Sequence, residues 1–400
     1  MEYIARLHYV EAAQSWLQQG MIVILTGQRR VGKSCVLRQL GDTLTAAGRN
    51  VVLIDKEDMA FDHIRTYQHL HRYAEEHAVT NRPNCLLVDE VQEIEEYEKS
   101  VRSLSANGWQ VALTGSNAHI LSSEIGTLLG GRYVEIHIHS LSYTEFLTFH
   151  DLTPSENALR DYLLYGGLPH LRRIGLNHPD MLKDYLQSLY HSILLKDVVT
   201  RENIRNIAFL QNLVAFLADN IGKLISANSI SRFMKQETPG ITSNLVINYL
   251  RFLCNAYVLN AVPRYEIHGR RLLESNEKYY FEDLGLRNAL CRAGAMDIEK
   301  RIENAVYLHL RSCGYTVYVG QLQSAEIDFV ATRGSETIYV QAAYMIASAE
   351  TEAREFGNLL RIKDNQPKYV VSVTPMADFG RRPDGIIHLR LSDFLLSESF

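Results

Sequence analysis

"LTGQRRVGKSCVLRQL", residues Leu25 to Leu40, interrupts an apolar run with two glycines and a Lys-Ser pair. Ahead of it, Met21 to Leu25 is a continuous aliphatic stretch, the pattern of a strand buried on both faces. Behind it, Val36, Leu37, Leu40 and Leu44 recur at helical spacing, and Gly48 offers a stop. Gly27-x-x-x-x-Gly32-Lys33-Ser34 therefore sits between a strand and a helix, the context a phosphate-binding loop requires. Gly27 and Gly32 let the backbone turn so that amide N–H groups point inward, and the helix start adds partial positive charge. The expected nucleotide contacts are Gly27, Gln28, Arg29, Arg30, Val31, Gly32, Lys33, Ser34 and Cys35, with Lys33 toward the β- and γ-phosphates and Ser34 toward Mg²⁺. Arg29 and Arg30 read as secondary phosphate contacts or, more simply, as a solvated loop tip. ATP and Mg²⁺ are the expected cofactors.

The rest of the chain limits what such a loop serves. Four hundred residues exceed one typical core and suggest two to three domains. A formal charge of −5 provides no global basic field, which confines any nucleic-acid contact to a local patch. Cys35, Cys85, Cys254, Cys291 and Cys313 are scattered without a C-x-x-C pair, the usage of a reduced compartment, and argue against a cysteine zinc site. The opening "MEYIARLHYVEAAQ" carries acids and lacks the apolar core of a signal peptide. No apolar run approaches a membrane span, so a cytoplasmic protein with no membrane partner is expected.

Further strands are expected at Val51–Ile54, Cys85–Val88, Val111–Leu113 and Tyr133–Ile138, mostly separated by helical stretches, which implies a parallel sheet covered on both faces. The run "CLLVDEVQEI" ends a strand in Asp89-Glu90, an acid pair suited to holding the Mg²⁺ shell (Asp89) and orienting or deprotonating the attacking water (Glu90). "VALTGSNAHI" ends another in Thr114, Ser116 and Asn117, read as γ-phosphate sensors or as turn and cap residues. Arg132 is a candidate for neutralising transition-state charge, in its own site or a neighbouring subunit's, or else a surface ion-pair residue. His137 and His139 share a strand face without a third ligand nearby in sequence.

"TGQRRVGKS", "LLVDEVQ", "LTGSN", "GGRYVEIHIHSLSYTEF", "YGGLP", "LLKDV", "EIDFV" and the closing "DGIIHLRLSDFLL" resemble prokaryotic AAA-type P-loop ATPases of the archaeal-ATPase-like group. These carry an uncharacterised C-terminal region with a restriction-endonuclease-like fold. The resemblance runs over nearly the whole chain. It implies an α/β protein with a P-loop ATPase domain (1–150), a helical lid (151–204), a winged-helix segment (205–277) and a C-terminal α/β endonuclease-like domain (278–400).

In the lid, Asp197 beside Lys196 reads as an ion pair or a nucleotide-sensing contact. The segment from Ile225 reads as helix, turn, helix, then strand: Ser226 caps a helix with Ile230 and Phe233 inward, Pro239-Gly240 turns, and Thr242-Ser243 caps a helix burying Val246, Tyr249, Leu250 and Leu253. Lys223, Arg232, Lys235, Arg251, Arg264, Arg270 and Arg271 are its basic residues, making residues 223–271 the candidate DNA contact. In the endonuclease-like fold that the C-terminus resembles, a metal is held by an acid on the helix (Glu303), one on the second strand (Asp328) and a Glu-x-Lys on the third. Here the third strand reads Gln341-Ala342-Ala343. A site without that carboxylate and lysine is expected not to cleave DNA, unless a lysine such as Lys363 or Lys368 substitutes.

The sequence thus points first to an Mg²⁺-dependent ATPase coupling nucleotide state to movement of its C-terminal modules. Alternatives are a nucleotide-gated DNA-binding regulator, or a DNA-processing or defence nuclease if the altered site is active. Homo-oligomerisation is a further expectation, resting on Arg132.

Overall fold

Five strands, β1 (Ile22–Thr26), β2 (Asn50–Asp55), β3 (Asn84–Asp89), β4 (Gln110–Thr114) and β5 (Tyr133–His137), form a parallel sheet in the order β2-β3-β4-β1-β5. The computed structural model describes residues 4–118, 129–235, 240–291, 297–323, 325–374 and 378–400. The sheet belongs to one compact unit, residues 1–139 with 255–257. Its strands are apolar along their whole length because both faces are covered: every residue of β1 is buried. On one face Ile22, Ile24, Val52, Ile54, Leu86, Val88, Val111 and Leu113 pack with Leu70, Val101 and Leu104 from the helices Tyr67–Glu76 and Tyr97–Ala106. The alternate residues face the helices Leu7–Gln18 and Lys33–Ala46. Each such fully buried aliphatic contributes roughly 1.5–3 kcal/mol relative to exposure.

The order has one consequence for chemistry. β4 lies between β1 and β3, so the loop after β1 and the acids ending β3 share a sheet edge, with the end of β4 between them.

Residues 140–254 and 258–400 form the second unit. It opens with helices, among them Tyr143–Phe149, started by a reciprocal Ser142/Glu145 cap, and Glu156–Tyr165. Gly166 and Gly167 after the latter are required by close approach: a Cβ at Gly166 would lie 2.4 Å from the Gly285 nitrogen, and one at Gly167 2.3 Å from the Leu141 carbonyl oxygen. The helix Pro179–Ile193 continues as a π-helical segment, Leu194–Thr200. Within it Asp197 is buried and pairs with Arg201 at 3.8 Å, whereas Lys196 is exposed, so the expected Lys196–Asp197 pair is replaced by one a helical turn away.

The helix–turn–helix–strand reading holds locally. Ser226 caps Ala227–Met234, the Thr242 hydroxyl accepts from the Leu245 N–H ahead of Ser243–Asn255, and Ile230, Val246, Tyr249, Leu250 and Leu253 are buried. Phe233 is not inward; it is half exposed, its ring 5.0 Å from that of Phe216. Pro239 lies outside the described residues.

The hairpin that follows is not a free wing. β6 (Leu259–Glu266) and β7 (Arg271–Phe281) pair antiparallel, and β6 then pairs parallel with β8 (Thr316–Leu322). The hairpin is one end of an eight-stranded sheet with β9 (Ala325–Arg333), β10 (Glu336–Ala343), β11 (Lys368–Ser372), β12 (Gly380–Arg381) and β13 (Ile387–Arg390), in the order β12-β13-β11-β10-β9-β8-β6-β7. The expected boundary between 277 and 278 therefore falls inside β7, and that at 150 lies eleven residues beyond the end of the first unit at His139. Arg264 donates to Gln321 and Arg271 to Glu266, within the sheet and hairpin. Among the described residues no helix is long and apolar enough to cross a membrane.

Candidate nucleotide site

The loop after β1 is shaped by contacts that only glycine tolerates. Gly27 has φ 135°, and a Cβ there would meet the Ile138 carbonyl oxygen at 2.3 Å. Gly32 caps the helix Lys33–Ala46 in the left-handed region, φ 104°. Between them Gln28 and Val31 are buried, Arg29 is half-buried beside Glu57 at 3.4 Å, and Arg30 is exposed with φ 72°. Arg6 reaches in from the N-terminal segment and donates to the Val31 and His139 carbonyls (3.2 and 3.0 Å), fixing the outer wall of the loop. Nothing in the motif announces this arginine.

Lys33 lies along the loop, its Nζ donating to the carbonyls of Gly27 and Gln28, both at 2.8 Å. An ammonium so held is nearly desolvated and sits at the mouth of the turned amides. Ser34 and Cys35 follow on the first turn, half-buried. The Ser34 hydroxyl hydrogen-bonds Asp89, so the residues chosen from two distant motifs meet.

Asp89 ends β3 and is buried. Burial pushes its carboxyl above the usual carboxylate range, opposed by hydrogen bonds from Thr114 and Ser34 and reinforced by the charges of Glu90 and Asp55. A buried acid whose hydrogen-bond partners include the Ser34 and Thr114 hydroxyls fits a divalent ion, because burial disfavours its charge more than those hydroxyls favour it. Glu90 turns out of the strand with φ 51°, a conformation that costs a non-glycine residue about 1–2 kcal/mol. Three neighbours hold it: the Thr114 hydroxyl accepts from its N–H at 2.9 Å, and Ser116 (3.2 Å) and Gln92 donate to its Oε2.

Thr114 thus acts on both acids, since its hydroxyl donates to Asp89 Oδ1 as well. Of the residues read as γ-phosphate sensors or as turn and cap residues, Thr114 and Ser116 hydrogen-bond the acid pair, and Asn117 is buried beside them in the chain.

A family model described as an AAA domain matches residues 19–147, and one for a domain of unknown function matches residues 156–297. An uncharacterized protein of Haemophilus influenzae is 33% identical over 380 residues, spanning 92% of this chain and 93% of its own. The chain belongs to that protein's family. An uncharacterized protein of Methanocaldococcus jannaschii is 26% identical over 69% of this chain and 64% of its own. A Walker-type ATPase of Pyrococcus abyssi shares the fold at TM-score 0.50 and 15% identity, over 72% of this chain and 96% of that one. This family member therefore carries an AAA-type P-loop fold on its first unit, and the loop and acid pair lie within the residues matched by the AAA model.

Arg132 is not part of it. It precedes β5, whose first residue Tyr133 pairs with Ile22 at the start of β1, whereas the loop follows Thr26 at the other end. Five residues of strand, roughly 16 Å, separate the two edges, which removes Arg132 from its own chain's site. His137 packs its ring 4.4 Å from that of His139 and 4.9 Å from that of Tyr257, with Nδ1 3.3 Å from the Thr26 hydroxyl.

The second unit gathers its own acids. Glu303, on the helix Ile298–Ser312, and Asp328, on β9, do come together as the C-terminal resemblance implies, joined by Glu326. The cation among them is neither Lys363 nor Lys368, which pairs with Asp364. It is Lys278 of β7, fully buried, with Nζ 2.9 Å from Glu303, 2.7 Å from Glu326 and 3.4 Å from Asp328. Gln341 accepts from the Asp328 N–H at 3.3 Å. The substitution of Gln341-Ala342-Ala343 thus leaves the third strand without a cation but not the cluster. Lys278 is the first residue of the range read as the endonuclease-like domain (278–400), and the sequence reading gave it no role there.

Proposed function

We propose that this protein is an Mg²⁺-dependent ATPase whose nucleotide state drives rearrangement of the C-terminal elements. The observation that carries it is the bridge from Ser34 through Asp89 to Thr114 and Glu90, which joins a phosphate-binding loop to a positioned base. In this reading Gly27 to Cys35 bind the phosphates through backbone amides, and Lys33 leaves the Gly27 and Gln28 carbonyls for the β- and γ-phosphate oxygens. Ser34 and Asp89 hold Mg²⁺, which would neutralise charge on the phosphate oxygens. Glu90, with Oε2 occupied by Ser116 and Gln92, orients water and accepts its proton at Oε1. Ser116 reports on the occupied site through the same carboxylate.

Calorimetry with Lys33→Ala and steady-state turnover with Glu90→Gln test the reading. Lys33→Ala loses ATP binding, and Glu90→Gln binds ATP but turns it over at least about 10²-fold more slowly. Equal ATP binding by wild type and Lys33→Ala ends the proposal.

A second reading, a nucleotide-gated DNA-binding regulator, is favoured by the capped helices Ala227–Met234 and Ser243–Asn255 with exposed Arg232, Lys235 and Arg251. Duplex binding that weakens with salt and with Arg251→Ala supports it; no binding at low salt, with or without ATP, removes it. ATPase activity measured against protein concentration, with and without DNA, examines Arg132 in a homo-oligomer. Specific activity that rises with concentration and is lost in Arg132→Ala indicates a site completed by a neighbouring copy, and a flat curve argues against one. A cytoplasmic setting, expected from the scattered cysteines, belongs to the same reading.

A further inference from the structure

Gln92 lies two residues beyond Glu90, where an extended strand would carry it about 7 Å further along. The chain does not stay extended. β3 ends at Asp89, Glu90 takes its left-handed backbone, and Val91–Glu93 close a 3₁₀ turn. In that turn the Glu93 N–H donates to the Glu90 carbonyl at 3.1 Å, and the Ile94 N–H to that of Val91 at 3.0 Å. Val91 and Ile94 are buried in the same apolar cluster as Ile24 and Val88, so the turn is anchored on both sides of Gln92. Just beyond, the Glu95 N–H donates to the Arg65 carbonyl at 2.9 Å and the Tyr67 N–H to the Glu95 carbonyl at 3.0 Å. The Gln92 amide is thereby folded back on the acid pair, and its Nε2 donates to Glu90 Oε2.

Two observations mark this contact as more than incidental. Only the nitrogen of an amide can face an ionised carboxylate, which fixes the amide's orientation. That orientation leaves the Gln92 Oε1 buried and, among the described residues, without a hydrogen-bond partner. Buried polar atoms are nearly always paired, so the hold on Glu90 is kept at the expense of the carbonyl end. The second observation is convergence. Ser116, just after β4, donates to the same Oε2 at 3.2 Å, while the Thr114 hydroxyl accepts from the Glu90 N–H at 2.9 Å. One donor would let the carboxylate swing about a single bond; two donors from different elements fix its plane, and both are strengthened by its charge.

We infer that Gln92 is the positioning residue of the hydrolytic base. With Ser116 it pins Oε2 of Glu90 and leaves Oε1 as the oxygen that meets water. The inference rests on the ATPase reading above and deepens it: the two oxygens of a carboxylate are equivalent until neighbours distinguish them, and Gln92 supplies half of that distinction. A base that can swing is still present but misdirected. Its loss shows in rate rather than in affinity, because the loop from Gly27 to Ser34 holds the phosphates without Gln92.

The test is a double-mutant cycle on the full chain, with kcat and KM for ATP measured for wild type, Gln92→Met, Glu90→Gln and the double variant. Gln92→Met keeps the length of the side chain and removes the donor. Its kcat is expected to fall roughly 10–100-fold, with KM and calorimetric ATP affinity within about twofold of wild type. In the Glu90→Gln background the same substitution is expected to change kcat by less than about twofold, because no base remains to be aimed. Should Gln92→Met fail to fold, Gln92→Asn, one methylene too short to reach, carries the same cycle. An unchanged kcat in Gln92→Met beside a slowed Glu90→Gln overturns the inference and leaves the ATPase reading standing. Losses that add in the double variant, or that fall on KM instead of kcat, also overturn it. An unchanged kcat in Glu90→Gln removes the base itself, and the inference with it.

Discussion

The Thr114 hydroxyl donates to the Asp89 carboxylate, and one strand-end residue thereby fixes the acid that ends its neighbour. The same oxygen accepts from the Glu90 N–H at 2.9 Å, which holds a left-handed backbone in place. Replacing Thr114 with Val keeps the shape and removes both bonds. Turnover of ATP is expected to fall roughly 10–100-fold, with ATP affinity in calorimetry changed far less, because the loop itself is untouched. Equal losses in affinity and turnover would mean that Thr114 belongs to the binding surface.

Asp89 gives a prediction with a defined sign. Its carboxyl titrates above the usual range, so the folded state favours the neutral form. The charged form therefore works against folding at neutral pH, and that cost disappears as pH falls through the folded-state value. Without nucleotide, Asp89→Asn should melt higher than wild type at about pH 8, with the gap narrowing toward about pH 5. The added stability from Mg²⁺ and ATP should be lost in the same variant. Differential scanning fluorimetry reads both effects, and an unchanged melting temperature at the higher pH would contradict the burial argument.

Gly27→Ala is expected to cost both fold and ligand. Its Cβ would lie 2.3 Å from a backbone oxygen, and the φ of 135° is barred to alanine. A loss of at least about 2 kcal/mol in urea unfolding is expected, with ATP binding abolished. Gly48→Ala is the control: it shares a positive φ but has nothing within 4 Å, so about 1 kcal/mol is expected there.

In the second unit, His309 is a buried neutral ring whose Nε2 lies 2.8 Å from the Ser397 carbonyl, packed near Phe394 and Phe400. Desolvation lowers its pKa from 6.5 to about 4. A base with a lowered folded value contributes its full stability above the unfolded value and loses it as pH falls from there toward the folded one. Up to about 3 kcal/mol should vanish over that window, measured as a shift of the urea midpoint. His309→Phe should flatten the dependence; a wild-type profile flat from about pH 7 to 4 would contradict it.

How much of this was legible depends on sequence separation. Gly27 to Ser34 is contiguous, and strand, turn and helix around it each follow from local pattern, so the loop reads directly. Asp89 and Glu90 read because an acid pair ends a buried strand. Thr114 as their bridge does not, because it depends on β4 entering the sheet between β1 and β3, and periodicity is silent on strand order. The reading of Arg132 in its own chain's site fails for a related reason: a residue before a strand lies at the opposite edge from a residue after one. Lys278 stands 25 and 50 positions from Glu303 and Asp328, with no spacing rule to connect them. The hairpin read as a wing had the right local pattern, but its pairing with β8, some fifty residues later, is a tertiary fact.

β7 has a bearing on how this unit can be dissected and inherited. A cut between Glu277 and Lys278 would split a continuous strand, bare the pairing edge of β6 and strip three carboxylates of their ammonium. Neither fragment would be a self-sufficient folding piece. The helices before the hairpin and the sheet after it should therefore melt as a single cooperative block, and recombination within this family should exchange them together rather than shuffle them at that junction.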